Sequence, residues 1–92
     1  MQTHRSRLSQ LREALEEIKA KSDESPYAGA KKRDVLAVIM NSEQCASVLA
    51  TLAKQEAVIL DLTKGQGVWR ITDKGRGILD KLNALQRDLG GL

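Results

Sequence analysis

Ala57-Val58-Ile59-Leu60-Asp61-Leu62 and Val68-Trp69-Arg70-Ile71, joined by Thr63-Lys64-Gly65-Gln66-Gly67, decide the fold class of this chain. The first run is rich in β-branched and aliphatic residues and reads as a strand, and the second reads as its returning partner. The connecting turn carries Gly65 and Gly67, which can take the positive φ angles that tight hairpins demand. One β-hairpin with a basic tip is expected here, in a chain whose other apolar residues follow a helical period.

Upstream, Leu8, Leu11, Leu15 and Ile18 recur at helical spacing and predict a helix from Arg5 to about Lys21. Ser22-Asp23-Glu24-Ser25-Pro26 ends it, because proline disfavours helix in the residue before it and lacks an N–H. The stretch from Ser22 to Ala30 then reads as a loop. A second helix is expected from about Lys31 to Met40, with Val35, Leu36, Ile39 and Met40 as its apolar face. Asn41-Ser42 breaks it and offers a side-chain cap to a third helix, from about Glu43 to Glu56. That helix places Cys45, Val48, Leu49 and Leu52 on one face and Gln44, Ser47, Thr51, Lys54 and Gln55 on the other.

Downstream of the hairpin, Thr72-Asp73 is a helix N-cap signal, weakened by Gly75 and Gly77. Ile78, Leu82, Leu85 and Leu89 carry the final helix to Gly90-Gly91, a helix-terminating composition. The expectation is a mainly α domain with a small β-hairpin, ordered α-α-α-β-β-α. A single domain over 1–92 divides into an N-terminal helix (1–22), a helix-turn-helix (31–56), a wing (57–71) and a C-terminal helix (72–89). That order is the layout of a winged helix-turn-helix.

Bulk properties exclude several classes. With one Cys (Cys45) and one His (His4), the chain lacks the side chains for an internal disulfide or a common zinc site, so no metal or other cofactor is expected. The lone cysteine fits a reducing compartment. No apolar h-region follows the N-terminal Met1-Gln2-Thr3-His4-Arg5, and the longest apolar run, Val35 to Met40, falls far short of the ~20 residues of a membrane span. A soluble, cytoplasmic, nucleoid-associated protein is expected. Lys and Arg number 15 against 12 Asp and Glu, a net charge of +3. The acidic Glu13, Glu16, Glu17, Asp23 and Glu24 separate from the basic Lys31-Lys32-Arg33 and the stretch from Lys64 to Arg76, so one face repels phosphate and another attracts it. Tyr27 and Trp69 are too few rings for a single-strand stacking platform. No nucleophile–base pair, P-loop or carboxylate dyad is legible, and the glycines of Gly65-x-Gly67 and Gly75-x-Gly77 are too sparse for a phosphate-cradling fingerprint. The chain does not read as an enzyme.

Val68-Trp69-Arg70-Ile71-Thr72-Asp73-Lys74-Gly75-Arg76, followed by Leu79, resembles the wing-to-helix signature of MarR-like and PadR-like transcriptional regulators. Leu49-Ala50-Thr51-Leu52-Ala53-Lys54-Gln55-Glu56-Ala57-Val58 is similar to their recognition-helix exit. Those regulators usually have glycine at the helix-to-strand turn, where this chain has Glu56. The resemblance spans about Cys45 to Leu79 and implies a winged helix in which Trp69, Thr72 and Gly75 are structural.

The candidate DNA-binding residues follow from placement. Lys31, Lys32 and Arg33 open the second helix, where the macrodipole disfavours cations, so a phosphate backbone is a reason for them. Ser42, Gln44, Ser47 and Thr51 are expected to face a major groove, glutamine being able to pair with adenine. Lys64, Gln66 and Arg70 belong to the wing. No arginine lies on the polar face of the third helix, so strong guanine readout is not expected from it. Leu8, Leu11, Leu15 and Ile18, with Leu82, Leu85 and Leu89, form stripes broader than a small core is expected to cover, which points to a homodimer interface. The leading expectation is a homodimeric, sequence-preferring binder of double-stranded DNA, acting as a transcriptional repressor, an autoregulator or a plasmid or phage partition adaptor. The alternative is a winged helix used for contact with a protein partner.

Overall fold

A computed structural model describes residues 7–63, 65 and 67–88. The elements run α1 (Arg7–Ser22), α2 (Lys32–Ile39), α3 (Ser42–Lys54), β1 (Val58–Asp61), β2 (Val68–Ile71) and α4 (Asp73–Asp88). The fold is mainly helical with one antiparallel hairpin, in which Val58 faces Ile71, Ile59 faces Arg70, Leu60 faces Trp69 and Asp61 faces Val68.

Local chemistry sets each boundary. Asp34 accepts a 2.9 Å hydrogen bond from the Lys31 N–H, closing the start of α2. Met40 ends that helix in the left-handed region at φ 66°, and its N–H reaches the Leu36 carbonyl. Asn41 then caps α3, its Oδ1 accepting from Gln44 N at 2.9 Å. Glu56, the residue that stands where glycine was expected, has φ 61° and turns the chain from α3 into β1. At the far end of the hairpin, Thr72 Oγ1 accepts from Gly75 N at 2.9 Å and caps α4.

A third extended segment joins the hairpin outside the two named strands. Ala30 and Trp69 exchange backbone hydrogen bonds of 2.8 and 2.7 Å, an antiparallel bridge between the α1–α2 loop and β2. Two residues on, the Ile71 N–H donates to Ser22 Oγ, whose own proton goes to the Ile18 carbonyl. The loop expected from Ser22 to Ala30 is thereby tied at both ends to the same strand.

The core is built around α1, which packs against α2, α3, β2 and α4. Ala14, Leu15 and Ile18 are fully buried, together with Val35 of α2 and Cys45 and Val48 of α3. This corrects the expected dimer interface. Leu15 and Ile18 have no exposed surface because this chain's own helices enclose them on all sides. Leu11 and Leu82 are half-buried against the same core. Of the expected interface only Leu8, 51% exposed, and Leu85, 42% exposed, remain outward among the described residues. Leu89 lies outside them. No single helix is long and apolar enough to cross a membrane.

Candidate nucleic-acid interface

α2 and α3 meet at 117° across the two-residue break at Met40 and Asn41. Cys45, Val48, Leu49 and Leu52 face inward, which turns Glu43, Ala46, Ser47, Ala50 and Lys54 to solvent. The middle of the outward face is therefore small (Ala46, Ser47 and Ala50), with the charged Glu43 and Lys54 at its two ends and no bulky apolar side chain. Small residues allow a helix backbone to approach another surface closely.

The expected groove-facing residues divide. Ser42 is exposed at the first turn of α3. Gln44, Ser47 and Thr51 lie on the flank toward α1 and already have partners there. Gln10 of α1, itself buried, donates from Nε2 to Gln44 Oε1. Arg7, the first residue of α1, donates from Nη2 to Ser47 Oγ at 2.8 Å and to Thr51 Oγ1 at 2.9 Å. Thr51 Oγ1 in turn sends its proton to the Ser47 carbonyl at 2.9 Å, which leaves its lone pairs free to accept from the guanidinium. An arginine therefore does sit on this face, delivered by another helix. Sequence periodicity within α3 had no means of revealing it, because the two residues are separated by 40 positions.

The basic start of α2 is placed differently. Lys32 and Arg33 are exposed and Lys31 is half-buried. They follow Ala30 directly, so they lie beside β2, one helix length of about 12 Å from the turn into α3. The hairpin residues carry a correction. Arg70 is half-buried and forms a 3.4 Å ion pair with Asp61 on the neighbouring strand. Its aliphatic stem lies against Gly29, where an added Cβ would come within 2.9 Å of Arg70 Cγ. The antiparallel register places Asp61 diagonally across from Arg70 on the same face of the hairpin, so the carboxylate captures the cation that was expected to reach outward. Lys64 and Gln66 lie outside the described residues. Among its described residues the hairpin exposes three large aliphatic side chains, Ile59 at 52%, Leu60 at 47% and Leu62 at 63%.

Electrostatics distinguish the carboxylates from the thiol. Asp61 is held below the usual carboxylate range by hydrogen bonds from the Thr63 hydroxyl and N–H, with Arg70 adding to the effect. Asp23 is lowered by Arg76 first and Lys19 second, Arg76 Nη2 lying 2.7 Å from Asp23 Oδ1. Burial pushes the Cys45 thiol up, against a smaller opposing pull from Lys32. A cysteine of that kind packs as a small apolar side chain rather than acting as a nucleophile. Among the described residues, no group of three or more His, Cys, Asp or Glu is set to hold a metal ion. No family model, no curated protein and no solved structure matches this chain.

Proposed function

We propose that the protein is a winged-helix binder of double-stranded DNA, with α3 as the element that enters the major groove, and that it acts as a regulator at the DNA it prefers. The observation that carries this reading is the 117° meeting of α2 and α3 across a short break, an angle within the range of about 90–120° found in helix-turn-helix pairs. A groove roughly 12 Å wide admits a helix with a slim outer face. Ala46 and Ala50 suit contact with a thymine methyl, Ser47 accepts or donates, and Glu43 can accept from the cytosine amino group. Lys54 and the cations at the start of α2 suit the flanking phosphates. In this reading the hairpin serves as the wing, and the Ala30–Trp69 bridge supports it as a third extended segment. A homodimer through the terminal helices is not part of this proposal, since its central residues are inside the core.

The test is fluorescence-anisotropy titration with a random-sequence duplex and with the DNA upstream of the protein's own coding sequence, over a series of salt concentrations. Salt-sensitive binding with preference for the upstream DNA is the expected result. No binding to either duplex at low salt overturns it.

One observation favours the second reading, contact with a protein. Among its described residues the hairpin presents Ile59, Leu60 and Leu62 to solvent. Trp69 and Ile71 direct their backbone groups toward Ala30 and Ser22, so the residues opposite them on β1, Leu60 and Val58, turn theirs to the outer edge of the hairpin. An aliphatic strand edge is a surface another chain can extend. Substituting lysine at Leu60 and Leu62 discriminates the two: it leaves DNA affinity unchanged or improved if α3 is the binding element.

A further inference from the structure

We infer that Arg7 is the phosphate-contacting cation of the α3 face, supplied from α1 and held in position by Ser47 and Thr51. The inference rests on the DNA-binding reading and adds a residue that no pattern in α3 contains. Ser47 and Thr51 are neutral, so the two hydrogen bonds that fix the Arg7 guanidinium leave its charge uncompensated. The other α1 arginine and the hairpin arginine are both neutralised by carboxylates, Arg12 by Glu16 at 2.7 Å and Arg70 by Asp61. Arg76 is likewise paired with Asp23. Among the described residues no carboxylate pairs with Arg7.

Donor geometry decides which part of DNA this arginine suits. A guanidinium has five N–H groups. Both protons of Nη2 go to the two hydroxyls, so among the described residues Nε–H and the Nη1 protons remain for an outside acceptor. Bidentate reading of guanine through the fork that includes Nη2 would require breaking a hydroxyl contact. A phosphate oxygen needs only the remaining donors and the charge. Arg7 therefore fixes the register of α3 on the duplex, and base discrimination stays with the exposed residues of α3. The Ser47 and Thr51 anchors hold the long side chain before binding, which reduces the ordering cost of the contact.

The experiment compares the parent protein with Arg7→Gln, Arg7→Lys and Lys81→Gln on the random and upstream duplexes, from about 50 to 200 mM salt. Arg7→Gln is expected to flatten the log–log salt dependence by about one unit, about a fourfold change over that range. The loss of affinity should be equal for both duplexes. Arg7→Lys restores the slope, and Lys81→Gln, which removes the same charge from exposed α4, leaves it alone. A thermal midpoint close to that of the parent shows that Arg7→Gln is folded. Parent binding with an unchanged slope for Arg7→Gln overturns the role of Arg7 alone. A loss confined to the upstream duplex assigns Arg7 to base reading and overturns the phosphate assignment. A slope lowered equally by Lys81→Gln overturns the local contact. Failure of the parent to bind either duplex overturns the DNA reading itself, and this inference with it.

Discussion

Individual residues decide several features through conformations and charges that a neighbouring element imposes. Glu56 holds φ 61°, a region that costs a non-glycine residue about 1 kcal/mol or more. Its carbonyl is engaged by the Thr72 hydroxyl, a backbone contact that glycine preserves. Glu56→Gly is expected to stabilise the fold by about 0.5–1 kcal/mol after the added chain entropy is counted, measured by urea denaturation. Asp61 and Asp23 have lowered pKa values in the folded state, by hydrogen bonds from Thr63 and from Arg76 respectively. A depressed carboxylate contributes stability that is complete above the unfolded-state value and disappears as pH falls through the lower folded value. The thermal midpoint should accordingly decline below about pH 4, and Asp61→Asn should make that decline shallower while lowering the midpoint near neutrality. A decline equally steep in the Asn variant would place the acid sensitivity elsewhere.

Between elements, α4 approaches the strand entry too closely for a side chain at Gly75. A Cβ on Gly75 would lie 2.0 Å from the Ala57 carbonyl oxygen and 2.9 Å from Ile71 Cγ1. That same carbonyl already accepts from Thr72 N at 3.0 Å, so it is held and does not move aside. Gly75→Ala is therefore expected to destabilise by roughly 3 kcal/mol, as overpacking against backbone does. Gly77, two residues further along α4, meets nothing within 4 Å, and Gly77→Ala should stabilise by roughly 0.5–1 kcal/mol. Calorimetry on the two variants checks the contrast; equal effects would mean that α4 is free to shift away from Ala57. Both glycines weaken helix propensity alike in the sequence, and only the neighbouring strand distinguishes them.

At the scale of the molecule, the enclosure of α1 changes what the leucine stripes mean. Leu15→Ala should cost about 3 kcal/mol of the chain's own stability, because the cavity opens inside a core already closed by α2, α3, β2 and α4. A dimer interface of standard size buries about 800 Å² per partner, more than the outward parts of Leu8 and Leu85 can provide. Sedimentation equilibrium is expected to give a monomer mass for the parent and for Leu8→Lys/Leu85→Lys alike; a dimer that dissociates on that double substitution would restore the terminal-helix interface.

The sequence by itself determined the order of elements and most of their inward faces. Cys45, Val48, Leu49 and Leu52 repeat at helical spacing and lie on the buried side of α3, while Thr72 before Asp73 gives a cap. Those features are local: spacing, proline position and side-chain capping act within a few residues. The turn at Glu56 was not legible in the same way, because glutamate stands where the resemblance leads one to expect glycine, and only the backbone shows that it adopts the left-handed conformation. Tertiary structure alone decided that Arg70 is captured by Asp61, that Arg7 lies on Ser47 and Thr51, and that Leu15 and Ile18 are interior. Each of these depends on which elements come together. A helical stripe is the same in sequence whether a neighbour from the same chain or from another covers it. A cation likewise gives no sign of whether a carboxylate, a hydroxyl or solvent will stand opposite it.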